Sequence, residues 1–219
     1  MFNVTVEQFN HLPAIDKVEA LRYAGAKREI GESLSALLDE CIQEAEHTFF
    51  GKICSVVLSK NELFDFIPEC NESEALKKNL LDCDSVVLFS ATVGAEIDRL
   101  IHRYAKISPA KSLLFQAIGA ERIECLCDCF CENLKQKYAS CDRFLKPRFS
   151  PGYGDFSLSA QTAIFKILNP QKHLGMFLTE SLLILPTKSV TAVVGLGREI
   201  ETKHTCEDCN QIDCGFKRN

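Results

Sequence analysis

Lys146-Pro147-Arg148-Phe149-Ser150-Pro151-Gly152-Tyr153-Gly154-Asp155 interrupts an otherwise periodic chain. Two prolines and two glycines in ten residues require unusual backbone dihedrals or close approach to another group. The segment therefore reads as a ligand-binding loop rather than a connector. Upstream of it, helical spacing dominates. Downstream, short helices give way to β-branched runs.

On the upstream side, Leu34, Leu37, Leu38, Cys41, Ile42, Ala45 and Phe49 recur every three or four residues and predict a helix over 33–49. Ile15 to Tyr23 predicts a shorter helix, Ile53 to Leu58 a β-branched strand, Glu74 to Leu81 a helix and Ser85 to Phe89 a buried strand. Thr92 is expected to cap a helix carrying Ile97, Leu100, Ile101 and Tyr104. Ser108-Pro109 then opens the longest helical region, which runs to about Tyr138, is loosened at Gly119, and buries Ile123, Leu126, Cys127, Phe130 and Leu134.

Past the loop, Ser157 or Ser159 caps a helix with Ile164, Phe165 and Leu168 on one face, and Asn169-Pro170 starts one more turn ending near Gly175. Leu182 to Leu185 and Val190 to Val194, separated by Pro186-Thr187-Lys188-Ser189, predict a hairpin. The expected class is α+β, with mainly helical N-terminal two thirds packed against an antiparallel twisted sheet. Residues 1–200 are expected to form one domain, and 201–219 a Cys-rich C-terminal tail.

The chain has 219 residues, 46% of them apolar, enough for a packed core. With 25 Lys and Arg against 30 Asp and Glu, the net charge is −5, which argues against a nucleic-acid partner. Apolar runs stop at four residues, as in Val86 to Phe89, whereas a bilayer span needs roughly 20. No membrane partner is expected. The start, Met1-Phe2-Asn3-Val4 with Glu7 close behind, shows no basic and apolar leader, so the expected location is the cytoplasm.

Twelve cysteines stand in this chain. In a reducing compartment they are thiols rather than staples, so their spacing decides what they mean. Cys125, Cys127, Cys129 and Cys131 lie on a predicted helix, where residues two apart are turned by about 200° and cannot all meet. Cys125 with Cys129, and Cys127 with Cys131, can share faces, and the four read mainly as small buried hydrophobes. The tail differs. His204, Cys206, Cys209 and Cys214 fall within eleven residues that show no competing apolar period. Cys206, Cys209 and Cys214 are therefore candidate metal ligands, for zinc with His204 or for an iron–sulfur cluster with an outside ligand.

Gly195-Leu-Gly197 after a β-branched run imitates a dinucleotide-binding turn, but Ile200 replaces the third glycine and too little chain remains for a βαβ unit. The chain also lacks a Walker phosphate loop, Gly-x-Ser-x-Gly and His-Glu-x-x-His. What remains is Arg148-x-x-x-Gly152-Tyr153, followed in order by Lys172-His173-Leu-Gly-Met176-Phe-Leu-Thr179-Glu180-Ser181 and a strand ending at Pro186.

These motifs, in this order, resemble the S-adenosylmethionine-binding activation domain of cobalamin-dependent methionine synthase. The likeness is strongest from Arg148 to about Val194 and extends upstream through Leu21-Arg22-Tyr23 and Ala91-Thr-Val-Gly94. It implies that Arg148, Gly152 and Tyr153 contact S-adenosylmethionine, the guanidinium holding the methionyl carboxylate and Gly152 letting main chain approach. Carboxylates contact the ligand in the family too, and Glu121, Glu124 and Asp128 are equally placed to supply them.

Methyl transfer to a strongly nucleophilic cobalt centre needs alignment rather than a catalytic triad. The resemblance implies a stand-alone reactivation factor, an accessory to cobalamin-dependent methionine synthase or a similar enzyme. It would serve the reductive remethylation of cobalamin. The chain lacks Asp-x-His-x-x-Gly, so the cobalamin is expected on a partner corrinoid methyltransferase, with a separate electron donor. The competing reading is an iron–sulfur or zinc redox or scaffold protein of the same fold that does not bind S-adenosylmethionine.

Overall fold

The computed structural model describes residues 2–26 and 31–198. Strand β1 (Thr5–Phe9) leads to helix α1 (Lys17–Tyr23), whose N-cap Asp16 accepts hydrogen bonds from the N–H groups of Val18 and Glu19. Helix α2 (Glu32–Ala45) buries Leu38, Cys41 and Ala45 along one stripe. Strand β2 (Gly51–Ser59) passes straight into α3 (Lys60–Phe66) through a capping box in which Ser59 and Glu62 satisfy each other's backbone. Two short helices follow, α4 (Pro68–Glu72), started by its proline, and α5 (Glu74–Asn79), capped by Ser73.

Strand β3 (Cys83–Thr92) then precedes α6 (Glu96–Ile107) and α7 (Pro109–Ala139), the 31-residue helix that spans the molecule. After the two-residue strand β4 (Phe144–Leu145) and the Pro/Gly loop come α8 (Ala160–Leu168) and α9 (Pro170–Leu174). Asn169 and Gly175, both left-handed, bracket α9. The last described elements are β5 (Phe177–Leu178), β6 (Ile184–Leu185) and β7 (Ser189–Gly197).

The main sheet is antiparallel with order β1-β2-β3-β7-β4. Helices cover both of its faces, so β3 reads as a continuous apolar run instead of an alternating one. Val87, Phe89 and Ala91 share one core with Leu114, Phe115, Phe130 and Val194. Val86 and Leu88 share the other with Leu63, Leu76, Ile164 and Val193. Phe89 meets Phe130 with ring centroids 5.0 Å apart, which anchors α7 on the sheet. The architecture is the α+β arrangement expected from the helical upstream pattern and the β-branched runs.

Three local expectations fail. Leu182 to Leu185 and Val190 to Val194 do not form a hairpin, because β6 pairs with β5 in a small separate sheet while β7 pairs with β3. Two neighbouring apolar runs satisfy the alternation rule whoever their partners are, and burial against β3 wins. Thr92 does not cap α6. It closes β3, where its hydroxyl accepts from Gly94 N–H and from Ser189. Helix α7 continues unbroken through Gly119, where a Cβ would come within 2.9 Å of Lys188 Cγ. The glycine thus admits a crossing side chain. Strand β1, unread from sequence, is a short, largely exposed edge strand with little apolar signal.

Candidate functional site

The loop after β4 follows the free edge of β7. Lys146 N–H donates to Gly195 O, and Phe149 exchanges both backbone hydrogen bonds with Val193 at 2.9 Å. Leu145 faces Leu196 and Phe149 faces Val193, so the loop side carries one extra residue between these pairings. Such a bulge re-aims a side chain. Here it falls at Lys146-Pro147-Arg148, where Pro147 has no N–H to pair.

Arg148 turns toward α7. Its Nη2 donates to Glu124 Oε2 at 3.0 Å and to Asp128 Oδ1 at 2.7 Å. Glu124 and Asp128 are four apart on α7 and so present their carboxylates together. Three of the five guanidinium N–H donors, on Nε and Nη1, lie outside these two ion pairs. Burial pulls the Arg148 pKa down, but Cys127, Glu124, Asp128 and Cys131 together more than offset that and leave it raised. The cation persists at any working pH.

Past Arg148 the chain makes a tight double turn. Tyr153 N–H donates to Ser150 O, Phe156 N–H to Tyr153 O, and Gly152 N–H to Phe156 O at 2.8 Å. Gly152 sits at φ +94°, a region that side chains rarely enter. Asp155 then accepts from the Ser73 hydroxyl and from the N–H groups of Glu74 and Ala75, tying the loop to the start of α5.

A cavity of about 510 Å³ opens beside this loop, lined among others by Glu124, Arg148, Ser150, Tyr153, Gln161 and Thr191. Its size falls within the roughly 300–1,000 Å³ usual for small-molecule sites. The structure thus brings Arg148 and Tyr153 to one cavity. Tyr153, 71% exposed, stands at its mouth. Gly152 shapes the turn and is not a lining residue.

Glu124 was one of three equivalent carboxylates in the sequence and is the one on this cavity wall. Glu121 instead forms a buried ion pair with Arg122 and accepts from Asp16 N–H. Gln161 was not foreseen at all. It is 6% exposed at the start of α8, and its Oε1 is enclosed with no hydrogen-bond partner among the described residues. No pattern in the sequence marks it, since it stands between Ala160 and Thr162 at the polar start of α8.

Of the α7 cysteines, Cys127 is buried and Cys125, Cys129 and Cys131 are half-buried along an open acidic groove. Burial pushes the Cys127 thiol up to about 12 and those of Cys125 and Cys131 to about 11, so they stay protonated at neutral pH. No group of three or more His, Cys, Asp or Glu among the described residues is arranged to hold a metal. Cys206, Cys209 and Cys214 lie outside the described residues, as does His204.

The glycines of Gly195-Leu-Gly197 belong to β7. A Cβ on Gly195 would come within 2.6 Å of Cys83 Sγ, so the repeat reflects close packing and not phosphate binding. Among the described residues no helix is long and apolar enough to cross a membrane.

An antiparallel sheet covered by helices on both faces, with a bulged Arg loop beside a cavity, defines an α+β domain. The profile of the vitamin B12 dependent methionine synthase activation domain matches residues 62–207, about two thirds of the chain. The protein belongs to that family. Among solved structures it is similar to the MetH reactivation domain bound to AdoHcy, with a TM-score of 0.64 and 14% identity over 91% of this chain and 80% of that one. At this identity the likeness concerns the fold. No curated protein sequence matches the chain.

Proposed function

We propose that this domain binds S-adenosylmethionine in the cavity beside residues 148–153 and presents its methyl group to cobalamin held by a separate corrinoid methyltransferase. The observation that carries the reading is the bulged loop, which sets a permanent cation, Arg148, and an aromatic side chain, Tyr153, on one cavity of ligand size. The planar guanidinium of Arg148 suits a carboxylate, which such a group can hold bidentately. The similar MetH domain was solved with AdoHcy bound, which supports the ligand class.

In this role the domain contributes position rather than acid or base. The methyl leaves the sulfonium as a cation equivalent for reduced cobalt, S-adenosylhomocysteine is the leaving product, and a separate donor supplies the electron that reduces oxidised cobalamin. The domain, residues 1–200 in this reading, works in the cytoplasm as an accessory to cobalamin-dependent methionine synthase or a related enzyme. In the 201–219 tail, Cys206, Cys209 and Cys214 are proposed as ligands of zinc or an iron–sulfur cluster on their spacing.

Calorimetry with S-adenosylmethionine tests the reading. The protein is expected to bind, and Arg148→Ala to weaken binding by about 1.5–3 kcal/mol, the range for hydrogen bonds to a charged group. Absence of binding at millimolar ligand overturns it. Metal analysis after anaerobic purification tests the tail: replacing its three cysteines with serine should remove bound zinc or iron, and unchanged metal content contradicts the assignment.

A further inference from the structure

Gln161 poses a problem that the packing of the protein does not solve. Its side chain is almost fully enclosed, yet the carboxamide oxygen meets no donor among the described residues. Buried polar atoms are nearly always paired, and an unpaired one destabilises the fold. Gln161 also lines the cavity that Arg148 borders. A leucine there would fill similar space without the penalty.

Strand β7, which lines the same cavity, has an edge position with no backbone partner among the described residues. Along an antiparallel strand, every second residue turns its N–H and C=O toward the same neighbour. Val193 and Gly195 of β7 turn theirs to the loop, bonding Phe149 and Lys146. Thr191 is the next residue in that series, and the loop has already departed at Ser150. Thr191 itself is 3% exposed and lines the cavity with Ser189 and Val190. This wall therefore carries a carboxamide and an open strand edge, flanked by apolar Ile184 and Val190, with no charged group among Ser189, Val190, Thr191 and Ile184. Arg148 and Glu124 are the charged residues of the same lining.

A neutral wall offering both a donor and an acceptor suits a flat heterocycle that has a donor beside an acceptor. We infer that Gln161 is a specificity-determining residue for the nucleobase end of the ligand. With its carboxamide turned into the cavity, Oε1 accepts from the exocyclic amino group of a 6-aminopurine, and Nε2 donates to the adjacent ring nitrogen. Glutamine makes the same two-point pairing with adenine in other settings. The amino-acid end of the ligand then lies toward Arg148. The inference rests on the S-adenosylmethionine reading above and adds the residue that recognises the base.

The test is calorimetry with S-adenosylhomocysteine and with its 6-deamino purine analogue, on wild type, Gln161→Leu and Gln161→Glu, with unliganded Tm measured alongside. Wild type should prefer the 6-amino ligand about tenfold, the loss of one hydrogen bond. Gln161→Leu should bind S-adenosylhomocysteine about ten- to a hundredfold more weakly and show no preference between the two ligands. Its unliganded Tm should hold or rise by about 2–4 °C, since an unpaired buried amide is gone. A purely structural glutamine would lower Tm instead.

Gln161→Glu keeps the acceptor and loses the donor, so affinity should fall while the 6-amino preference persists. That variant carries the test should Gln161→Leu fail to fold. Wild-type affinity in either variant, or a retained 6-amino preference in Gln161→Leu, overturns the inference and leaves the ligand reading standing. No binding of S-adenosylhomocysteine to wild type overturns both.

Discussion

Asp155 shows how a single side chain holds the 146–155 loop in place. Its carboxylate takes the Ser73 hydroxyl and the Glu74 and Ala75 N–H groups, and these hydrogen bonds hold its pKa below the ordinary value. A carboxyl lowered in the folded state contributes stability above its unfolded pKa, about 3.9. That contribution is lost as pH falls through the lowered folded value. Thermal melts of wild type should therefore decline on acidification below about pH 4, and Asp155→Asn should have a lower Tm at neutral pH and a shallower acid decline. Identical acid profiles would contradict the assignment. Thiol chemistry gives a second outcome at this scale. With Cys127 near 12 and Cys125 and Cys131 near 11, alkylation at pH 7.5 followed by peptide mapping should modify exposed Cys141 before any of these three. Their spacing separates those thiols into helix faces, but only burial shows that desolvation is what keeps them protonated.

At the level of elements, α7 serves as the post against which other segments are aligned. Arg122 donates to Pro13 O at 2.6 Å and to Ala14 O at 3.3 Å, while Glu121 accepts from Asp16 N–H. The buried Glu121–Arg122 pair thereby docks the segment leading into α1. Removing one partner leaves an uncompensated buried charge, so Arg122→Ala should destabilise by about 3–5 kcal/mol in denaturant unfolding. The double change Glu121→Leu, Arg122→Met should recover much of that, and an equal loss in the double variant would show that the backbone hydrogen bonds dominate. The β7 strand makes a different demand. Gly195→Ala would press a methyl onto Cys83 and Leu80, and overpacking of this kind is expected to cost about 1–3 kcal/mol. Helices α2, α6 and α7 were legible because each carries its own apolar stripe, whereas α3 and α4, of seven and five residues, are too short to show one. The pairing of β6 and β7 was not, since alternation says which face of a strand is buried and nothing about its neighbour.

For the whole molecule, the described residues leave one side of the cavity beside the loop open, with Tyr153 at its mouth and Ile184 of β6 on its wall. In the proposed function a corrinoid domain docks over that opening, because the sulfonium methyl must come within about 3–3.5 Å of cobalt. Mixing the protein with a corrinoid methyltransferase trapped as cob(II)alamin, a low-potential reductant and methyl-labelled S-adenosylmethionine should yield labelled methylcobalamin. Equal labelling without the protein would defeat the proposal. The sequence by itself determined the α+β class, the long helix, the helix start at Asn169-Pro170, and the Arg148–Tyr153 loop, because these depend on periodicity and on residues within a few positions of one another. Only the tertiary structure decided that β7 lies between β3 and the loop, that Glu124 rather than Glu121 reaches the cavity, and that Gln161 lines it with a carboxamide oxygen unpaired among the described residues. Those facts depend on which distant segments meet, and the packing of both sheet faces settles that in a way no local pattern of side chains encodes.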